Sequence, residues 1–127
     1  MESIAVKLHK NGMNCGKSIF KGICEKQHKE VSKETLDVFG AINSGFGVGV
    51  FCSALIGAIG ALSLFFDEED MQKIRLELLM DFNEKFGSFD CCKIGTDEER
   101  CYEILEYLEN WASQKIWDKK DLLPVEY

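Results

Sequence analysis

Residues 39–66 read Phe39-Gly40-Ala-Ile-Asn43-Ser44-Gly45-Phe-Gly47-Val-Gly49-Val50-Phe-Cys52-Ser53-Ala54-Leu55-Ile56-Gly57-Ala58-Ile59-Gly60-Ala61-Leu-Ser-Leu-Phe-Phe66, twenty-eight positions without a charge, bounded by Asp37 and Asp67. The length alone would permit a membrane span, and Gly45 and Gly49 have the spacing of a helix-packing motif. Asn43, Ser44 and the glycines at 40, 45, 47 and 49 make the first half a poor helix, however. What remains, Val50 to Phe66, has the length of a central core helix and is short for a span, and no basic cluster flanks it to fix an orientation. The stretch therefore reads as a glycine-rich turn feeding a buried helix, with Cys52 at its start. Gly57 and Gly60, together with Ala54, Ala58 and Ala61, give that helix a small-residue face that lets another backbone come close.

Helical signals recur on both sides of this core. Ile4, Val6 and Leu8 alternate like a strand, while Ile4 and Leu8 equally fit a short amphipathic helix, so the first segment stays open between the two. Asn11-Gly12 breaks it, and Asn14 is an N-cap for a helix over 15–28 with Cys15, Ile19, Phe20, Ile23 and Cys24 on its apolar face. Ser32 caps a short third helix carrying Leu36 and Phe39. Asp67 caps a helix with Met71, Ile74, Leu78, Phe82 and Phe86 on one face, ended by Gly87-Ser88. Thr96 and Glu99 form a capping box that opens a last helix with Cys101, Ile104, Leu105, Leu108, Ala112 and Ile116 at helical spacing. The fold class expected is all-α, a single domain over residues 1–127. It is a bundle of five to six helices around the Gly/Ala-rich one, with a frayed tail over 120–127.

Composition narrows the function. With 127 residues, 46% hydrophobic and 29% charged, the chain can bury a core without disulfide staples. A formal net charge of -7 argues against nucleic acid, whose phosphates are bound by clustered Lys and Arg. The start lacks a positive n-region, and Lys7 and Lys10 interrupt the apolar run, so no secretory signal is read and a cytoplasmic location is expected. There, six cysteines point to redox or metal chemistry ahead of structural disulfides. Gly12-Met13-Asn14-Cys15-Gly16-Lys17-Ser18 resembles a phosphate-binding loop but has three residues, not four, between its glycines, and nucleotide binding is set aside.

The cysteines carry the rest. Cys15, Cys52 and Cys101 fall near helix starts, where the helix dipole and unsatisfied amides favour a thiolate, the form that attacks disulfides or binds metal. Cys91 and Cys92 sit in the loop before the last helix. No C-x-x-C occurs, so neither a thioredoxin-type pair nor a zinc ribbon is supported. His9 and His28 stand among lysines and read as solvated side chains, with no Cys-His arrangement legible from spacing.

Asn14-Cys15, then Cys52-Ser53-Ala54-Leu55-Ile56-Gly57 after a glycine-rich segment, then Asp90-Cys91 ahead of Ile94-Gly95, and Cys101, resemble the C_GCAxxG_C_C family, which is recognised by four cysteines. Ser53 stands where the family motif has glycine, and either Cys91 or Cys92 fills the third position, with the distance to Gly95 favouring Cys91. Cys24 and Cys92 are extras. The resemblance implies a small helical domain with redox or metal-linked cysteine chemistry and no defined substrate. Three readings follow. The first is thiol–disulfide exchange or electron transfer by pairs drawn from Cys15, Cys52, Cys91 and Cys101 with an unidentified redox partner. The second is a metal or iron–sulfur site on the same four thiolates. The third is an interaction domain with inert cysteines, a homodimer through the small-residue helix.

Overall fold

In the computed structural model, Asn14 opens the helix on which the others converge: its side chain accepts from the Lys17 amide at 2.9 Å. That helix, α2 (Cys15–Lys26), follows α1 (Ile4–Lys10) and precedes α3 (Lys33–Asp37), α4 (Ser53–Leu62), α5 (Glu68–Phe86) and α6 (Glu98–Leu122). The structure describes residues 3–40, 52–90 and 98–122, with side chains through 118. Every regular element among them is a helix, as expected of an all-α chain. The glycine-rich half of the uncharged stretch, the loop with Cys91 and Cys92, and the Thr96 end of the capping box lie outside the described residues.

The ambiguity over the first segment resolves as helix. Ser3 accepts from the Val6 amide at 3.0 Å, and Ala5 and Val6, adjacent in sequence, both turn into the core. Asn11 and Gly12, the latter at φ +102°, then reverse the chain into α2. A left-handed φ suits glycine, which has no Cβ to clash. α2 ends at Lys26, two residues short of the expected end, and His28 follows at φ 60°.

α4 is shorter than the Val50–Phe66 helix expected from the apolar run. Beyond Leu62 the amides of Leu64 and Phe65 bond three residues back, to Ala61 and Leu62, and the chain turns. Asp67 then caps α5 by accepting from the Asp70 amide at 2.8 Å, which commits the next residues to a new helix. α6 runs to Leu122, into the stretch expected to fray from residue 120. No helix among the described residues is long and apolar enough to cross a membrane.

α2 packs on α1, α3, α4 and α6, so it shares the centre with α4. The crossing of α2 and α4 explains the small residues of α4. A Cβ on Gly57 would lie 2.5 Å from the Gly16 carbonyl oxygen and 2.6 Å from Ile19 Cγ2. A Cβ on Gly60 would lie 2.8 Å from the Phe39 ring, which itself packs against Phe20 with ring centroids 4.7 Å apart at a tilt of 37°. The face expected to receive a second copy is thus filled from within the chain. α5 contributes Met71, Ile74, Leu78 and Phe82 to the core, the face read from its spacing. It runs antiparallel to α6: Phe86 meets Tyr107 edge-on at 5.5 Å, Trp111 Nε1 donates to Asp81 at 2.8 Å, and Lys115 reaches Glu77 at 2.6 Å.

α1 and α6 are also antiparallel, through a contact no periodicity announced. Glu109 on α6 is 2% exposed, and its carboxylate accepts from the amides of Ala5 (2.8 Å) and Ile4 (3.3 Å). These are first-turn donors that α1 cannot satisfy itself, and a buried carboxylate at a helix N-terminus answers both their hydrogen bonds and the dipole. Gly22 makes room: a Cβ there would lie 2.9 Å from both the Ala5 nitrogen and Glu109 Oε1. Lys26 stands 3.8 Å from the other carboxylate oxygen.

Candidate functional site

With α1 pinned at its start by Glu109, its last turn falls against the first turns of α2 and α6. Three side chains meet there. His9, Cys15 and Cys101 are all half-buried, and one ligand atom from each lies within 4.8 Å of the other two. Each position follows from local structure. Cys15 is the first residue of α2 because Asn14 caps it, and Cys101 lies in the first turn of α6. His9 sits at the end of α1 and is returned to Cys15 by the short Asn11–Met13 turn.

The imidazole is held in one orientation. His9 Nδ1 lies 2.8 Å from the Met13 carbonyl oxygen. A carbonyl only accepts, so Nδ1 carries the proton, and in the neutral ring the lone pair is on Nε2. The Met13 carbonyl is itself fixed by Ser18, fully buried, whose hydroxyl donates to it at 3.1 Å. Cys15 Sγ stands 3.9 Å from Nε2 and 4.0 Å from Nδ1. The Tyr102 ring closes the other side of His9, edge-on at 5.9 Å, with the Lys10 ammonium 5.0 Å above that ring.

The same residues dispose of the phosphate-loop resemblance. Ser18 is buried and bonded to Met13, and Lys17 Nζ is 3.5 Å from Asp37 Oδ1. The two groups such a loop would turn toward a phosphate and its metal face other partners.

Of the four cysteines singled out, Cys15 and Cys101 come together, and Cys52 lies outside their group. Cys52 is buried at the N-cap of α4, where its amide donates to the Phe89 carbonyl at 2.7 Å. Ser53, at the motif's glycine position, is the first residue of α4 and buried. Cys91, like Cys92, lies outside the described residues. Cys24 is a buried core thiol on the inner face of α2. Burial pushes it up to about 11, against a smaller opposing pull from Lys29, which leaves it protonated and unreactive at neutral pH.

His9 is the residue that sequence reasoning missed. Reading it as solvated among lysines was wrong: it is half-buried against Tyr102 and Cys15. The signal that could have found it is the helix stop at Asn11-Gly12 followed at once by the Asn14 cap. A connection so short forces the end of one helix against the start of the next.

A helical domain that gathers two first-turn thiols from distant parts of the chain around one oriented imidazole defines a class of cysteine-centred proteins. The chain belongs to the family described as "Putative redox-active protein (C_GCAxxG_C_C)", whose model matches residues 13–114. The match begins after His9, which therefore lies outside the family pattern. No curated protein and no solved structure matches the chain.

Proposed function

We propose that the protein exchanges electrons with disulfide substrates through Cys15 and Cys101, with His9 as the base that activates Cys15. The observation that carries this reading is the meeting of the two sulfurs, from two different helix N-termini, within 4.8 Å and beside the imidazole. His9 Nε2 takes the Cys15 proton, and the N-terminus of α2 stabilises the thiolate. The thiolate attacks one sulfur of the substrate disulfide: a Cys15–substrate S–S bond forms, the substrate S–S bond breaks, and one thiolate leaves and is protonated. Cys101, deprotonated in turn, attacks Cys15 Sγ, which forms the Cys15–Cys101 disulfide and releases the second substrate thiol. Two electrons pass from the cysteine pair to the substrate, and the two cysteine protons end on the released thiols. Cys52, held through its amide to the Phe89 carbonyl two residues before Cys91, is the candidate partner for Cys91 in a second pair.

Reaction of the reduced protein with a small aromatic disulfide, followed by peptide mapping under non-reducing conditions, tests the reading. A Cys15–Cys101 cross-link is expected, and Cys101→Ser should instead trap the reagent on Cys15. Oxidation that proceeds unchanged in Cys15→Ser, or that never joins these two cysteines, defeats it.

A further inference from the structure

We propose that His9, Cys15 and Cys101, in the reduced protein, also form a three-ligand site for a thiophilic divalent ion of the zinc class. This ligand set differs from the four-thiolate site implied by the cysteines alone, because it contains an imidazole and omits Cys52. Two independent observations support it. The first is distance. Tetrahedral coordination with bonds of about 2.3 Å to sulfur and about 2.0 Å to nitrogen puts sulfur about 3.5 Å from nitrogen and about 3.8 Å from a second sulfur. Here Cys15 Sγ is 3.9 Å from His9 Nε2 and 4.0 Å from Nδ1, and the three ligand atoms lie within 4.8 Å of one another, so the separations are near those required and a swing of about 1–2 Å that brings the sulfur toward the Nε2 lone pair closes the set.

The second observation is the partner of the other ring nitrogen. A ligating histidine ordinarily donates its second N–H to a carboxylate or a backbone carbonyl, which fixes the tautomer and raises the basicity of the ligating atom. His9 has that arrangement: Nδ1–H points at the Met13 carbonyl, which the buried Ser18 hydroxyl also holds. Two thiolates and one imidazole are ligands that zinc-class ions accept, while Mg²⁺ and Ca²⁺ prefer oxygen. The ion needs both sulfurs reduced, so its binding opposes formation of the Cys15–Cys101 disulfide. The site does not depend on the exchange chemistry, since it requires only that these three groups ligate.

The test is anaerobic titration of the full-length, reduced, metal-free chain with Co²⁺, followed by displacement with Zn²⁺. One Co²⁺ per chain is expected, with thiolate-to-metal charge-transfer absorption and the intense visible bands of tetrahedral Co²⁺. His9→Ala, Cys15→Ser and Cys101→Ser should each weaken binding at least about tenfold, a loss that altered coordination shells commonly produce. Cys24→Ser and Cys52→Ser should bind like the wild type, and far-ultraviolet circular dichroism checks that each variant keeps its helices. In the unmutated chain, Zn²⁺ should protect Cys15 and Cys101 but not Cys52 from alkylation. Binding that survives His9→Ala and is lost in Cys52→Ser overturns the proposal, as does the absence of stoichiometric Co²⁺ binding. Either result leaves the cross-linking test of thiol exchange intact.

Discussion

Cys15 and Cys24 lie on the same helix, nine residues apart and so on opposite sides of it, and differ in almost everything that decides cysteine chemistry. Cys24 is fully buried among apolar side chains, and desolvation lifts its thiol to about 11. Cys15 occupies the first turn, half-buried, with an imidazole whose lone-pair nitrogen is 3.9 Å from its sulfur. Residue type and helix are constant, so the contrast isolates position: distance from the helix N-terminus, access to water and a neighbouring base.

The largest expected break between the two is kinetic. At pH 8 and under reducing conditions, iodoacetamide should modify Cys15 at least about a hundredfold faster than Cys24, whose thiolate fraction its raised pKa holds near a thousandth. Site-resolved mass spectrometry checks this, and comparable rates would erase the distinction.

Glu109→Ala attacks the Cys15 side from a distance. It strips the amides of Ile4 and Ala5 of their acceptor and lets α1, which carries His9, loosen. A loss of about 2–4 kcal/mol in urea unfolding is expected, because hydrogen bonds to a buried charge are among the stronger ones. The pH profile of Cys15 alkylation should move toward that of an unassisted thiol, while Cys24 stays unreactive.

Cys24 also gives a pH signature of its own. Its folded-state pKa lies above the ordinary value of 9.0, so folding favours the protonated thiol. The stabilisation is complete below pH 9 and is lost as pH rises toward 11, the folded value. Across that window the wild type should lose about 2 kcal/mol more than Cys24→Ala does, measured as the difference in unfolding free energy. A flat difference would mean that water reaches the thiol.

The smallest effect is packing. At pH 7, Cys24→Ala should cost about 1 kcal/mol for the space it leaves, and Cys15→Ala less than about 0.5 kcal/mol. Reversal of that order would place Cys15 in the core.

Much of this contrast is legible in the sequence. Asn14 as a cap put Cys15 at a helix start, and the spacing of Ile19, Phe20, Ile23 and Cys24 put Cys24 on the apolar face. Local capping chemistry and a 3.6-residue period suffice for such assignments, which is why α2 and α5 keep their expected faces. Phe65 and Phe66 misled because apolar character marks burial, not helix, and the Asp67 cap claimed the following chain for α5. The imidazole was hidden for another reason. His9 reaches Cys15 only because a turn with Gly12 at φ +102° and a carboxylate far along the chain set the pose of a seven-residue helix. Glu109 was hidden likewise: its value lies in two backbone amides at the other end of the sequence, and no pattern within α6 encodes them.

The bond from Ala5 to Glu109 spans 104 residues. Ribosomes add roughly 5–20 residues per second, so α1 waits about 5–20 seconds for the carboxylate that holds it. A seven-residue helix does not persist alone in water. Throughout that interval Cys15 has neither the settled imidazole nor the second thiol beside it. The nascent chain therefore passes through synthesis with the parts of the proposed site kept apart, and they meet only when α6 docks.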